Sequence, residues 1–356
     1  MFAHRSTSTH ARRSGAPAPL AFAMALLVAL LAACSPGATQ RPTIPPDATG
    51  SVGPAASATS SVAPSAAAFP QTLTDDEGTN VELEAEPDKI VSLTPATTET
   101  LFALGVGDRV VGKVEDFSLY PPEAASIPDV AKFGEVDVEQ IVGLEADLVI
   151  AGGNSFNPPD KIAQLRSLGI PVLVLYAPDI ETVFTDIELT GVAVGRADEA
   201  KDLTASMRAQ FDQVGAATAG LDRPRVFYEL DASQKIYTAA DDSFPAAMIE
   251  LAGGDPITTG STTNFEIALE ALITADPELI LLGDAAYGVT ADAVKARPGW
   301  NVMTAVKDGA ITPVDDVIIT RPGPRLTEGL RALALAIHPE VALPSPSVGA
   351  PASAAP

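Results

Sequence analysis

Residues 139–151, EQIVGLEADLVIA, and residues 270–282, EALITADPELILL, decide the fold because they repeat one pattern. With an offset of 131 positions, Glu139 aligns with Glu270, and the aliphatic runs that end the two stretches also coincide. Any two helix–turn–strand units share such hydrophobic spacing, but the coincident glutamates favour a true internal repeat. The sequence therefore predicts two similar halves, and the cleft between them would be a natural ligand site.

Strand and helix patterns alternate through the folded part of the chain, which we expect to run from Phe69 to Leu343. Short aliphatic runs predict buried strands, and helical spacing between them predicts helices. This alternation is typical of α/β proteins with parallel sheets. The predicted strands are residues 89–93, 148–151, 172–175 and 225–230; helices cover residues 99–104 and 161–167, and a hairpin joins residues 72–74 to 81–83.

The longest helical pattern covers residues 197–217 and lies between the two halves. Ala200, Leu203, Met207 and Phe211 recur at steps of three or four, which gives one apolar stripe. The predicted domains are therefore an N-terminal lobe at 69–178, a connecting helical segment at 179–221 and a C-terminal lobe at 222–342.

The N-terminus has the pattern of a secretory signal. Arg5, Arg12 and Arg13 precede an apolar run of about 15 residues, which is too short for a comfortable membrane span. The run ends in Leu-Ala-Ala-Cys34, which resembles the bacterial lipobox, so we predict a signal peptide at 1–33 and a lipid on Cys34. Residues 34–68 and 343–356 are rich in Pro, Ser and Ala, which predicts a flexible tether and tail.

Charge and composition exclude several classes of function. The chain has 356 residues, of which 46 are acidic and 22 basic, giving a formal charge of −24. This charge repels nucleic-acid phosphates and anionic membranes, so we expect no nucleic-acid partner and membrane attachment through the lipid alone. The single cysteine rules out an intrachain disulfide and a multi-cysteine metal site.

Residues for catalysis are missing from the sequence. There is no G-x-S-x-G motif, and His338 is the one histidine beyond the predicted signal peptide. We interpret His338 as a helix-end residue and Trp300 as a packing residue. One histidine cannot build a His-rich metal site, although carboxylates alone could bind calcium. The sequence predicts binding rather than catalysis, with no catalytic residue and no metal site.

Several ordered motifs resemble one family over about residues 70–341. They include IVSLTPATTE at 90–99, RVVG at 109–112, YPPEA at 120–124 and RPGPRL at 321–326. These motifs are similar to those of the class III periplasmic-type binding proteins that serve ABC importers of iron–siderophores and cobalamin. The resemblance implies two Rossmann-like lobes with parallel sheets, one long rigid connecting helix and a ligand cleft between the lobes.

The resemblance also implies partners and a location. The ligand would be a corrinoid or a ferric siderophore, and no cofactor other than the Cys34 lipid would be attached covalently. An ABC permease dimer with its ATPase subunits would receive the ligand. Glu139 and Glu270 are the expected docking residues, one on each lobe. The protein would be extracytoplasmic and anchored at the outer face of the cell membrane.

Ligand contacts follow from the same resemblance. Tyr120 and Phe133 would offer flat surfaces, although Phe133 stands where cobalamin-binding proteins carry tryptophan. Arg321 would pair with carboxylate or catecholate oxygens through its guanidinium fork, or would form a structural bridge instead. Asn154 lies where α/β ligand loops belong. The predicted ligand-binding residues are thus Tyr120, Phe133, Asn154, Phe265, Tyr287 and Arg321.

Three alternatives stay open at the level of sequence. A haem-binding protein of the same family would share the fold. A lipid-anchored α/β hydrolase would need the triad or metal ligands that are missing here. A surface adhesion or structural lipoprotein would need neither the repeated glutamates nor a cleft.

Overall fold

A computed structural model describes residues 69–153 and 156–345. The predicted signal peptide, Cys34, the tether at 34–68 and Asn154 lie outside these ranges. Within the ranges, no helix combines the length and hydrophobicity needed to cross a membrane.

The N-terminal half is built on a six-stranded sheet with the order β6-β5-β4-β3-β7-β8. All neighbouring strands are parallel except the β5–β6 pair. A separate hairpin, β1–β2, precedes the sheet, as predicted. The strands are β1 (Gln71–Thr74), β2 (Asn80–Leu83), β3 (Ile90–Ser92), β4 (Val110–Val114), β5 (Asp129–Lys132), β6 (Glu135–Val136), β7 (Leu148–Gly152) and β8 (Val172–Leu175); the helices are α1 (Pro95–Ala103), α2 (Val138–Gly143) and α3 (Pro159–Ser167).

Two helices connect the halves. They are α4 (Ile180–Ala193) and α5 (Ala197–Thr218). The predicted helix at 197–217 is therefore confirmed as α5, and α4 precedes it within the helical segment. The α4 helix packs on α1, β1 and α5, whereas α5 also packs on helices of the C-terminal half. The connection is thus a packed helix pair in which α5 is the long member.

The C-terminal half has a smaller, four-stranded parallel sheet with the order β11-β9-β13-β14. Two short strands, β10 and β12, pair separately. The strands are β9 (Arg225–Glu229), β10 (Ile236–Tyr237), β11 (Asp255–Pro256), β12 (Glu266–Ile267), β13 (Leu279–Leu282) and β14 (Ile311–Pro313); the helices are α6 (Phe244–Leu251), α7 (Leu269–Ala275), α8 (Ala291–Lys295), α9 (Thr304–Asp308), α10 (Asp316–Thr320) and α11 (Leu326–Ile337).

The repeat seen in the sequence is present in the structure, with its helices and strands starting at matching positions. Helices α2 and α7 begin 131 positions apart, and so do strands β7 and β13. Every residue of both strands is buried, as expected for parallel strands covered on both faces. Glu145 and Asp276, also 131 apart, both have left-handed backbone conformations that turn the chain from helix to strand.

The acidic residues of the two turns, Asp147 and Glu278, both accept backbone hydrogen bonds at the start of a neighbouring strand. Asp147 accepts hydrogen bonds from the backbone N–H of Lys89 at 3.0 Å, where β3 begins. Glu278 accepts one from the N–H of Arg225 at 2.9 Å, where β9 begins. Each carboxylate therefore fixes the start of the neighbouring strand, which explains why the acidic turn recurs with the strand.

One continuous hydrophobic core joins the halves. It extends from Ile90 in the six-stranded sheet through Phe184 and Phe211, whose rings meet edge to face, to Tyr228 and Leu330 in the C-terminal half. Separate buried clusters fill the other face of each sheet. A hinge motion between the halves would expose this shared core, so we expect the two halves to move little relative to each other.

Candidate ligand-binding site

Large apolar side chains reach solvent just beyond the carboxyl ends of several parallel strands. Phe117 follows β4 and is 88% exposed, Phe133 follows β5 and is 77% exposed, and Tyr287 follows β13 and is 86% exposed. Leu119 and Tyr176 are further exposed residues of this kind. Ligands of open α/β sheets bind at this edge, and exposed apolar groups gathered there indicate a binding surface.

A cavity of about 350 Å³ opens at the carboxyl end of β4. Its walls come from α1, β4, the segment that follows β4, and the start of β5, so the N-terminal half alone forms it. The lining residues are Thr98, Lys113, Glu115, Asp116, Phe117, Leu119, Tyr120, Pro121, Ala124, Ala125 and Asp129. This mixture of apolar walls and a few charged groups is typical of small-molecule sites.

The cationic group in the cavity wall is engaged by a carboxylate. The Lys113 side chain lies on β4, and the residue is 8% exposed. Its ammonium group forms an ion pair with the Asp129 carboxylate at the start of β5. A buried ammonium group needs such a partner, because its charge would otherwise be removed from water without compensation.

Arg321 bridges the two halves at the same edge. Its two terminal nitrogens donate to the two carboxylate oxygens of Asp116, at 2.6 and 2.8 Å. One of them also donates to the Ser118 hydroxyl at 2.9 Å and to Glu99 at 3.2 Å. Asp116 follows β4 and Arg321 follows α10, so segments beyond the carboxyl ends of both sheets meet here. The guanidinium fork is used within the protein.

A second arginine extends this network to a predicted ligand residue. The Arg325 guanidinium lies 3.5 Å from the Glu99 carboxylate and stacks 4.1 Å from the centre of the Tyr120 ring. Tyr120 remains 39% exposed, so one face of its ring is covered by protein and the rest borders the cavity. The stacking holds the ring in place through a cation–π contact.

Burial and charge act in opposite directions on the carboxyl groups of this network. Burial raises the pKa of Glu99, and the nearby Arg325 and Arg321 offset only part of that effect. Burial also acts to raise the pKa of Asp116, but hydrogen bonds from Arg321 and Ser118 outweigh it, so the pKa falls below its usual value. One Glu99 oxygen has no hydrogen-bond partner among the described residues. The Asp116–Arg321 fork is therefore the firmest contact in the network.

The C-terminal half has its own buried ion pair at the carboxyl end of β9. Arg297 donates to both oxygens of the fully buried Glu229 carboxylate, at 2.6 and 2.7 Å, and stacks 4.5 Å from the Trp300 ring. Asp284 lies beside this pair at the end of β13. Burial, followed by the charge of Glu229, raises the pKa of Asp284 to about 7.

The other predicted residues occupy different surroundings. Phe133 meets Phe156 edge to face with ring centres 5.4 Å apart. Phe265 is 43% exposed and precedes β12, whereas Trp300 is buried and His338 caps the end of α11, as predicted for both. The structure brings Tyr120 and Arg321 into one network. Among the described residues, no hydrogen bond, ion pair or ring contact joins Phe133, Phe265 or Tyr287 to that network, and their ligand roles stay predictions.

Both predicted docking glutamates are exposed in the first turns of matching helices, α2 and α7. Asp137 caps α2 by accepting from the Gln140 N–H at 2.9 Å. Ala268 occupies the matching position of α7 and provides no side-chain cap.

Sequence reasoning missed four residues of this edge: Glu99, Asp116, Phe117 and Leu119. A signal was present, because EDFSLYPPE at 115–123 places two apolar side chains among turn-forming and acidic residues directly after a strand. Within the described ranges, no cluster of three or more His, Cys, Asp or Glu side chains could hold a metal ion.

The two sheets and the cavity at the carboxyl end of β4 define an α/β binding protein. Comparisons with known proteins agree with this class. A match to the periplasmic binding protein family spans residues 90–317, so the chain belongs to that family. Its members are binding proteins for transport and not enzymes, which confirms the prediction of a non-enzyme and speaks against the hydrolase alternative. The chain is a substrate-binding protein of an ABC transporter.

Three known proteins illustrate the similarity. The chain is 36% identical over 277 residues to YvrC of Bacillus subtilis, an uncharacterized ABC transporter substrate-binding lipoprotein, covering 76% of this chain and 87% of YvrC. It is 31% identical over 300 residues to a cobalamin-binding protein of Halobacterium salinarum, covering 81% and 80%. The apo structure of the periplasmic heme-binding protein RhuT from Roseiflexus sp. RS-1 matches with a TM-score of 0.63 and 26% identity, covering 71% and 98%.

Proposed function

We propose that this protein captures a bulky metal chelate, a corrinoid or a ferric siderophore, outside the cell membrane and delivers it to an ABC permease. The observation that carries the proposal is the exposed Phe117, Leu119 and Tyr120 in the wall of the cavity after β4. Flat, apolar surfaces of this kind suit a large ligand that binds through shape and stacking.

The relatives support a corrinoid as the first candidate. The Halobacterium salinarum relative, which matches over four-fifths of both chains, is named for cobalamin binding. Tyr120 and Phe133 border the carboxyl edge of the N-terminal half, where one face of a macrocycle would lie.

Haem is the second candidate, because the structure resembles that of RhuT, which is named for heme binding. A haem iron bound here would need a tyrosine ligand such as Tyr287 or Tyr176, since tyrosine can ligate haem iron and both side chains are exposed. His338, at the end of α11, is not suited to that role. Its ring Nε2 is hydrogen-bonded to the Gly253 carbonyl oxygen at 3.1 Å.

Ligand titration tests the proposal directly. Full-length protein purified from membranes in detergent should bind cyanocobalamin or a ferric siderophore at one site, measured by calorimetry and by the absorbance of the chelate. Zinc, manganese, sugars and amino acids should give no binding. Tight one-to-one binding of a free transition metal would contradict the proposal. So would a failure to bind any of the chelates.

Two further parts of the proposal concern location and docking. Cys34 would carry the lipid that holds the protein at the outer face of the membrane, and a fatty-acid analogue should label the wild-type chain but not Cys34→Ala. Equal labelling of both would show that the anchor is elsewhere. Glu139 and Glu270 would dock to the two subunits of a permease whose ATPase subunits drive uptake, and their exposure on matching helices supports this role.

A further inference from the structure

We propose that the ligand site selects uncharged or positively charged chelates over anionic ones, and that Glu115 is the residue that sets this preference. The inference rests on the proposed function, because it concerns the charge of the chelate that the same site takes.

The cations around the cavity are already neutralised by protein carboxylates. Lys113 is paired with Asp129, and Arg321 holds Asp116 in a two-pronged contact. Arg325 is directed at Glu99 and stacks on Tyr120. An anionic ligand could gain one of these cations only by displacing its carboxylate, which would leave a partly buried charge without compensation.

Glu115 is the carboxylate of the cavity wall that keeps its charge unbalanced. It lies directly after β4, is exposed, and forms no ion pair with any basic residue in the described ranges. Its backbone N–H donates to the Ala131 carbonyl oxygen at 2.7 Å, which extends the β4–β5 pairing and fixes its position at the rim. The wall is therefore negative on balance, with Glu115 as the unbalanced group.

The carboxyl edge of the C-terminal half has the same sign. Its two guanidinium groups at this edge are held by carboxylates, Arg297 by Glu229 and Arg321 by Asp116. Asp315 follows β14 and is exposed. In the N-terminal half, Lys161 forms no ion pair with a described residue, but it lies on α3 and does not line the cavity. A chelate at this edge would therefore meet a negative field, which the formal charge of −24 extends over the whole chain.

The charge of the wall separates the chelate classes that the fold alone leaves open. A haem carries two propionates, and a ferric tris-catecholate carries three negative charges. A corrinoid presents amide groups, and a ferric hydroxamate is neutral or, with a free amine, cationic. Each negative charge of a ligand next to Glu115 would weaken binding by roughly three- to thirtyfold, according to the local dielectric constant and the distance. Neutral and cationic chelates lack this cost.

The experiment measures four probes with full-length protein: cyanocobalamin, ferrioxamine B, haemin and ferric enterobactin. We expect cyanocobalamin or ferrioxamine B to bind at least about tenfold more tightly than either anionic probe. Residual binding of the anionic probes should become tighter as salt rises from 20 to 500 mM, because salt screens repulsion. Over this range of salt the Debye length, the distance over which charges act, falls from about 20 Å to about 5 Å.

Substitution of Glu115 makes the assignment specific. Glu115→Gln keeps the side-chain shape and should tighten haemin and ferric enterobactin by roughly three- to thirtyfold while leaving cyanocobalamin unchanged. Glu115→Lys should tighten them further. Glu123→Gln is the matched control, because Glu123 is also exposed, lies eight positions further along the chain, and does not line the cavity. It should tighten the anionic probes less than Glu115→Gln does, because Glu123 lies outside the cavity wall, and it should leave cyanocobalamin unchanged.

The outcomes distinguish this inference from the proposed function. If an anionic probe binds best, or if Glu115→Gln changes the anionic probes no more than Glu123→Gln, the charge selection is wrong while chelate binding stands. If none of the four probes binds, the proposed function fails, and the inference fails with it.

Discussion

The two halves of the protein share one surface and differ at another. Helix α2 with β7 and helix α7 with β13 begin at matching positions and present Glu139 and Glu270 in the same helical turn. At the carboxyl edges, the N-terminal half has a cavity and the exposed Phe117 and Phe133, whereas the C-terminal half buries the Glu229–Arg297 pair. Symmetry has been kept where a permease dimer would dock and lost where a single ligand would bind.

This difference has a physical reason. A dimeric permease offers two equivalent surfaces, so a binding protein gains by presenting the same charged group twice at a matching place. A chelate has no such symmetry, and each half can then offer different side chains to a different face of the ligand. The predictions that follow test this contrast, from the largest expected effect to the smallest.

The largest effect should come from removing Glu139 and Glu270, the two glutamates proposed to dock. Glu139→Ala with Glu270→Ala should reduce uptake by at least about tenfold, because close interfacial charge pairs contribute about 1.5–7 kcal/mol in favourable cases. Reversal of both to Arg should reduce uptake more. Ligand affinity and melting temperature should stay close to wild type, since both side chains are exposed and neither lines the cavity.

The control removes the same charge elsewhere. Glu84→Ala with Glu340→Ala changes two exposed glutamates outside α2 and α7 and should leave uptake intact. Normal uptake by the docking double mutant would falsify the docking role. A loss of uptake matched by a loss of ligand binding would also contradict it, because it would place the defect in the ligand site. A small loss of stability alone would indicate only a helix-dipole role for these glutamates.

Breaking the buried arginine contacts should separate stability from ligand binding. Arg297→Met leaves the fully buried Glu229 without its cation and should lower the free energy of unfolding by about 3–5 kcal/mol. Arg321→Met should cost less, because Arg325 still lies near Glu99, but it releases Asp116 beside the cavity and should weaken ligand binding more. Urea unfolding and ligand titration of both variants measure the difference.

A rescue variant makes this prediction specific. Arg297→Met combined with Glu229→Gln removes both charges and should recover much of the stability lost by Arg297→Met alone. No recovery would show that Arg297 stabilises the protein through its packing on Trp300 rather than through its charge. Equal ligand affinity of Arg321→Met and wild type would contradict the positioning role of the Asp116 contact.

The regular part of this molecule was predictable from sequence, because its signals are local. The repeat at 139–151 and 270–282, the strands on either side and helix α5 each follow from hydrophobic spacing within a short window. The capping role of Asp137 was predictable for the same reason. The two-residue strands β10 and β12 were not, since two residues cannot show a period.

The ligand edge was only partly predictable, because its contacts join distant parts of the chain. Arg321 and Asp116 are 205 residues apart, and no local pattern shows that a guanidinium group will meet one particular carboxylate. Family motifs identified Arg321 and Tyr120 as site residues but did not identify their partners. The exposure of Phe117 and Leu119 depends on the shape of the segment after β4, which sequence spacing does not encode.

The stability of the protein should depend on pH through two carboxyl groups with raised pKa values, those of Asp186 and Asp284. Burial, reinforced by the charge of Asp76, raises the pKa of Asp186 on α4 to about 8. Because the folded-state pKa lies above the unfolded one, the stability that this group contributes is present below about pH 4 and is lost as pH rises through about 8. The free energy of unfolding should therefore fall between about pH 5 and 8, with a slope of at most about 1.4 kcal/mol per pH unit from this group.

Matched substitutions assign this slope. Asp186→Asn should flatten the decline, and Asp212→Asn, which changes an exposed residue on α5, should leave it as in wild type. Asp284→Asn should remove a second decline that ends near pH 7, because burial and Glu229 raise the pKa of Asp284 to about 7. An unchanged pH profile in Asp186→Asn would show that its carboxyl group is ionised in the folded protein.

The smallest effect concerns a difference between the starts of helices α2 and α7. Asp137 caps α2 through the Gln140 N–H, whereas Ala268 gives α7 no side-chain cap although its backbone is extended, as an N-cap requires. Asp137→Ala should lower the free energy of unfolding by about 1 kcal/mol, and Asp137→Asn should be close to neutral because asparagine caps equally well. Ala268→Asp should add up to about 1 kcal/mol, since its carboxylate could accept from the free N–H groups of the first turn and would also interact favourably with the helix dipole.

Urea unfolding of the three variants measures these changes, and uptake should be normal in all of them, because Glu139 and Glu270 stay in place. A gain from Ala268→Asp would show that the repeat can be made more symmetric without cost, whereas a loss would show that the start of α7 departs from that of α2 in more than its missing side chain.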